Sequence, residues 1–424
     1  MIQEFRIKNF LSFKDEVTFS FEATKDKNLE DYYVTEVAPG VRLLKLGIVY
    51  GANASGKSNL INAFEFLKNF WISGYNSKEE NNQVTPYLFD QETPKQPSEF
   101  KLTFYAKGIK FVYSLKLNEE VILYERLDFY PGVQPAVIFE RKLNNAVSEI
   151  IFGTKTKVTS VAKNEIAIRC LTNTSLIAAY KQVNFSIPEL NIATEWMQKQ
   201  FIPVIHMKSI DLKTTEIRVA ENEILKKQLQ EKLNRSGLNI SAIDSEIIRE
   251  ELNNDFLEKV KLLGISSSEY DKLKQQKNLV RVQTVFHHSI EGNPETIYKL
   301  SLEHESDGTK QLFALHTALI EQQQNKAFLI IDDFDLLLHP LLMEEILTNY
   351  LKEKSTNSQL LITTNNVSLL SEKDLIRKDA IWFTNKKKDG STELYSLADF
   401  NIRKELSYYN AYKLGKFGAV PKVF

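Results

Sequence analysis

Gly51-Ala52-Asn53-Ala54-Ser55-Gly56-Lys57-Ser58 sets two glycines, a lysine and a serine at the spacing of a phosphate-binding loop. Glycines let consecutive backbone N–H groups curl around phosphate oxygens, and a helix starting at the loop adds the positive end of its dipole. Lys57 is then placed for the β and γ phosphates and the Ser58 hydroxyl for Mg2+, with Gly51, Asn53, Ser55, Gly56 and Asn59 completing the nucleotide contacts. Hydrolysis also requires a rigidly held carboxylate. The apolar run 327–331 ends in Asp332 and Asp333, which assigns Asp332 to the metal and Asp333 to the attacking water. Alone, that run reads equally as a strand ending in a solvated acidic turn. Beside a phosphate loop, the catalytic reading prevails.

The elements that must position these residues follow from periodicity. Residues 43–50 form an apolar strand entering the loop, and residues 59–67 have the helical spacing required of the segment leaving it. Residues 2–13 alternate apolar and polar side chains and continue through 17–21, as two strands joined by a turn would. Strand-like runs at 99–105, 110–117 and 124–130 predict an antiparallel layer beside the nucleotide. Residues 185–279, rich in Glu, Lys, Leu and Ile at helical spacing, predict a helical insertion. Strands at 281–290, 296–302, 327–331, 359–363 and 380–383 then alternate with helices at 309–323 and 341–352. This is an α/β pattern. One head is expected, with halves 1–184 and 280–424 interrupted by the insertion.

Composition narrows the class. The 424 residues suffice for two or three structural units. Lys plus Arg total 54 and Asp plus Glu 55, so nothing global favours nucleic acid or an acidic membrane, and any DNA contact must be a local patch. The single Cys170 excludes an internal disulfide and a cysteine metal cluster. No apolar run approaches the ~20 residues that span a bilayer, and the first residues lack a signal peptide's pattern, so a cytoplasmic protein is expected. His287 and His288 are adjacent and on a strand would face opposite ways, unable to share a metal. Lys386-Lys387-Lys388 precedes Asp389-Gly390, a predicted hairpin turn, and reads as a solvated tip before it reads as a nucleic-acid contact.

The order of phosphate loop, insertion, ESDGTKQLFAL, LIIDDFDLLLHP, LLITTNN, DLIRKDAIWFTNKKKDGSTELYSLADF and LGKFGAVP resembles the AbiLi/RloA group of ABC-like AAA ATPases. These are relatives of the OLD and SMC heads and of the AriA subunit of the PARIS system. The resemblance covers nearly the whole chain and is strongest over residues 1–70 and 300–424. It implies an ABC/SMC-like P-loop ATPase head with a mixed sheet, an antiparallel β layer and a helical insertion, using ATP and Mg2+. It also implies a homodimer in which Ser306 and Gly308, the signature residues, close the other copy's phosphate loop. By composition alone, Glu305 to Lys310 would equally be a polar turn capping a helix. Asp332 matches the Walker B carboxylate, Leu338-His339-Pro340 the D-loop, and Gln182 the Q-loop glutamine that senses Mg2+. Asp332-Asp333-Phe334-Asp335 contains the Asp-x-Asp spacing of Toprim nucleases too, but here the acids follow a Walker B strand.

The implied role is antiphage defence, in which the ATPase controls a toxic effector encoded beside it, such as a Toprim-like or RloB-like protein. An SMC-like DNA clamp in repair or maintenance is the alternative. Two departures bear on rate. Such heads usually carry Glu where Asp333 stands and His where Asn365 stands, and asparagine cannot carry a proton or positive charge at neutral pH. Slow turnover and a long-lived ATP-bound dimer are therefore expected.

Overall fold

The computed structural model describes residues 1–75, 77–145, 147–251, 278–290, 293–353, 357–401 and 407–421. Two compact units divide them: Met1–Lys208 with Gln322–Phe424, and Ser209–Glu321. In chain order the first unit supplies β1 (Ile2–Lys8), β2 (Val17–Ser20), β3 (Val34–Ala38), β4 (Val41–Leu44) and β5 (Leu46–Tyr50). It continues with β6 (Ser98–Ala106), β7 (Ile109–Leu117), β8 (Ile122–Tyr130), β9 (Ala136–Asn144), β10 (Val147–Phe152) and β11 (Ile205–His206). The second unit holds β12 (Ile240–Glu251), β13 (Asn278–Ile290) and β14 (Asn293–Ser301). The chain then returns with β15 (Phe328–Asp332), β16 (Gln359–Thr363), β17 (Ile381–Lys386) and β18 (Thr392–Ser396).

The central sheet of the first unit runs β11-β15-β16-β5-β17-β18, parallel except for the β17–β18 hairpin at its edge. β5, β15 and β16 are buried at every position, as parallel strands covered on both faces must be, which explains their continuous apolar sequences. The run 43–50 is divided at Lys45, with β4 pairing with β3 and β5 entering the central sheet. A seven-stranded antiparallel sheet, β10-β9-β8-β7-β6-β1-β2, forms the second layer. Alternation along β1 and β2 turns Phe5, Ile7 and Phe19 inward, and the Phe5 and Phe19 rings meet Phe64 of the helix Lys57–Ile72 that follows the phosphate loop. Phe64 of that helix lies 4.3 Å from Phe5 and 5.5 Å from Phe328, centroid to centroid, so one aromatic side chain joins both sheets through the helix. Buried Gln359 adds a polar tie, donating to Ile2 O at 2.8 Å and Leu44 O at 3.1 Å.

The insertion departs from expectation. Residues 185–208 belong to the first unit, where β11 pairs with β15. Helices Leu212–Glu221 and Glu223–Arg235 are present, but β12 is a strand, and residues 252–277 lie outside the described residues. Ile240, Ile243 and Ile247 happen to have helical spacing. Pairing with β13, Ile243 opposite Phe286 and Ile247 opposite Val282, overrides it, and β-branched side chains suit that pleated surface. Among the described residues, no helix is long and apolar enough to cross a membrane.

Candidate nucleotide site

The phosphate loop joins β5 to the helix Lys57–Ile72. Gly56 caps that helix at φ 109° with no side-chain hydrogen bond, so the first-turn N–H groups remain available to an anion. A β-carbon at Gly56 would lie 2.3 Å from Thr392 Oγ1, and one at Gly51 would lie 2.4 Å from both Ser55 Oγ and Thr384 Oγ1. Glycine is required at both positions. The threonines belong to a clasp around the loop. Thr392 Oγ1 donates to Ser55 O at 2.9 Å and lies 2.8 Å from Ser12 Oγ, which also accepts from Asn59 Nδ2 at 2.7 Å. Ser55 Oγ and Thr384 Oγ1 are 2.6 Å apart. Ser12, Thr384 and Thr392 were invisible to motif reading, because nothing in the spacing of lone hydroxyl residues marks them.

Lys57 is buried, and its Nζ donates to Gly51 O at 2.7 Å, Ala52 O at 3.3 Å and Asn365 Oδ1 at 2.9 Å. Burial pulls its pKa down, opposed by the charges of Asp333, Asp335 and Asp332. The ends of β15 and β16 are laced together: Thr363 Oγ1 donates to Asp332 Oδ1 at 2.5 Å and accepts from Asp333 N at 2.8 Å, and Asp335 Oδ1 accepts from Asn365 N at 3.1 Å. Asp335 thus holds the loop after β16. Asp333 sits at φ 54°, a left-handed backbone that aspartate tolerates better than most residues. Its Oδ2 is 2.6 Å from Lys208 Nζ, and that hydrogen bond raises the lysine's pKa. His206, on β11, lies 3.6 Å from Asp332 Oδ2 and 3.5 Å from Glu65 Oε2.

Lys57, Lys208, Asp333, Asn365 and Lys386 border a cavity of about 590 Å3 together with Asn53, Ser55, Gly56, Ser58 and Asn59 of the loop. Leu11, Pro86, Leu88 and Phe89 supply an apolar wall that the sequence did not announce. Free helix N–H groups and three lysines suit a polyphosphate, and an apolar wall suits a planar base. The hydroxyl of Ser58 and the carboxylate of Asp332 are hard oxygen donors of the kind Mg2+ takes. The residues present fit a nucleoside triphosphate with Mg2+.

Gln182 requires correction. It is exposed and packs beside Gly74, past the far end of the helix that Lys57 begins. At 1.5 Å per residue that is about 24 Å along the helix from Ser58, beyond reach of a shared ion. The position flanking Asp332 is occupied instead by β11, with His206 on it and Lys208 just beyond.

Ser306 and Gly308 stand in the second unit at the start of the helix Asp307–Gln324. Ser306 is exposed and its Oγ accepts from Thr309 N at 3.2 Å, so it caps the helix whose N-terminus it presents to solvent. His339 caps the helix Pro340–Lys352, flanked by exposed Leu337 and Leu341. His287 and His288 reach different carboxylates, Asp244 and Glu305, each at 2.7 Å. The lysine run is divided: Lys386 borders the cavity, while Lys387 pairs with Asp15 at 3.0 Å.

A phosphate loop between strand and helix, an acidic pair ending a parallel strand of the same sheet and one parallel strand between the two define an ABC/SMC-like P-loop ATPase fold. The chain belongs to the family described as "AAA domain, putative AbiEii toxin, Type IV TA system", whose profile matches residues 48–371. Similar solved structures include an Smc head bound to the C-winged helix domain of ScpA, at 14% identity and TM-score 0.42, covering 97% of this chain and 99% of that one. The SMC head domain from Thermotoga maritima follows at 14% and 0.38, covering 95% and 99%. An Smc head with an extended coiled coil, bound to the C-terminal domain of ScpA derived from Pyrococcus furiosus, gives 12% and 0.42, with 98% of each chain covered. No protein of curated function matches.

Proposed function

We propose that this protein binds ATP with Mg2+, hydrolyses it slowly, and uses nucleotide-dependent pairing of two copies to control a separate toxic effector in a bacterial antiphage or abortive-infection system. The observation that carries the reading is the convergence of Lys57, Asp333 and Asn365 on one cavity at a free helix N-terminus. Backbone N–H groups of the loop hold the phosphates, and Lys57 exchanges the carbonyls of Gly51 and Ala52 for phosphate oxygens. Ser58 and Asp332 are the residues that would hold Mg2+, which when bound would supply neutralising charge to the phosphates. Asp333 orients a water and takes its proton as the water oxygen bonds to the γ phosphorus. The bond to the β–γ bridging oxygen breaks, and ADP leaves with phosphate. Asn365 donates a hydrogen bond through Nδ2 but neither transfers a proton nor brings a positive charge, which keeps turnover low. Ser306 and Gly308 of the partner subunit close each site.

The defence role draws on the resemblance, which extends through the C-terminal hairpin and tail, and on the family's description as a toxin–antitoxin component. A small effector encoded in the same operon, of Toprim-like or RloB-like type, is the partner this reading requires. Affinity purification from the native operon with ATP and Mg2+ tests it, comparing wild type with Lys57→Ala. A neighbour-encoded protein retained only by wild type is the expected result. If both forms come down alone, the defence reading fails and DNA binding becomes the role to test.

A further inference from the structure

Lys208 is built differently from Lys57, although both border the same cavity. Lys57 is buried and held by loop carbonyls. Lys208 has a fixed base and a free arm. The preceding Met207 is buried and its N–H donates to Asp332 O at 3.2 Å, continuing the β11–β15 pairing, whereas the Lys208 side chain is 71% exposed. That arm ends 2.6 Å from Asp333 Oδ2. A lysine ammonium is a compact point charge on a flexible stem, suited to moving from one anion to another.

We propose that Lys208 is a second phosphate-binding lysine that exchanges partners: it pairs with Asp333 when no triphosphate is bound and moves to the terminal phosphate when one is. This rests on the ATP-binding reading above. A terminal phosphate carries more negative charge than one carboxylate and, bound in the cavity that Lys208 borders, competes for the ammonium. A diphosphate lacks that terminal group. The exchange frees an oxygen of Asp333 for water only when a γ phosphate is present. Lys208 acts as a positioning residue for Asp333 and as a sensor of the triphosphate.

Titration calorimetry of the full chain with Mg2+, a non-hydrolysable ATP analogue and ADP tests the exchange. Lys208→Met should weaken the analogue by roughly tenfold or more, the worth of a charge-assisted hydrogen bond, while leaving ADP within about twofold. Lys208→Arg should restore the preference for triphosphate. Equal loss for both nucleotides, or no loss for either, overturns the proposal while leaving the ATP reading standing. A wild-type protein that binds neither nucleotide overturns both. The exposed position makes a folding defect an unsuitable explanation, and an unchanged melting temperature of Lys208→Met checks this directly.

Discussion

Asp333 satisfies two demands that pull on its side-chain length. Its left-handed backbone favours a short polar residue, and its proposed task of orienting water favours the longer reach of glutamate. Asp333→Glu should therefore raise steady-state ATP turnover, by roughly tenfold if the carboxylate moves about 1 Å closer, at a cost of about 1 kcal/mol in stability from backbone strain. Phosphate release measured at saturating ATP checks the first part and denaturant melts the second. A drop in turnover would show that the aspartate is already well placed. Lys57, Asp332 and Asp333 were legible in the sequence because each sits at a fixed offset within a local motif. Ser12, Thr384 and Thr392 were not, since their contacts join residues from three distant segments. Gln182 illustrates the same limit from the other side: a glutamine after a helix carries no mark of which helix end it will meet.

At the scale of elements, the segment around β17 is pinned by a buried ion pair. Arg377 donates to Asp379 through Nε at 2.9 Å and Nη2 at 2.8 Å, and also to the carbonyls of Asp26 and Asn28. Asp379 Oδ2 accepts from Thr24 N and Oγ1, both at 2.8 Å. Burial works against the carboxylate, but the Arg377 hydrogen bonds and charge and the Thr24 donors outweigh it, holding its pKa below the ordinary 3.8. Asp379→Ala strands the arginine's charge and should cost about 3–5 kcal/mol by denaturant titration at pH 7. Because the folded pKa is depressed, the wild-type advantage is full above pH 3.8 and fades as pH falls through the folded value. The strands β5, β15 and β16 were readable because strands buried on both faces write continuous apolar runs. β12 was not, because its isoleucines fit a helical period until β13 pairs with them.

For the whole molecule, the proposed closure of each site by a second copy rests on exposed Ser306, which caps its helix by accepting from Thr309 N. Ser306→Arg should leave nucleotide affinity of the isolated chain unchanged and abolish ATP-dependent dimerisation. Light scattering after size exclusion, with and without ATP and Mg2+, reads both states. Dimerisation of the variant at wild-type protein concentration would remove the signature role from this residue.

The hairpin that clasps the phosphate loop also sets a timetable. Ser55 and its support Thr384 are 329 residues apart, and β5 pairs only with strands that lie beyond position 358. At roughly 5–20 residues per second of synthesis, the loop waits on the order of 15–65 s for the segments that shape it. A nascent chain halted anywhere in that interval holds its glycine loop without a clasp. The shaping of the phosphate loop is thereby deferred until Thr384 and Thr392 have been made.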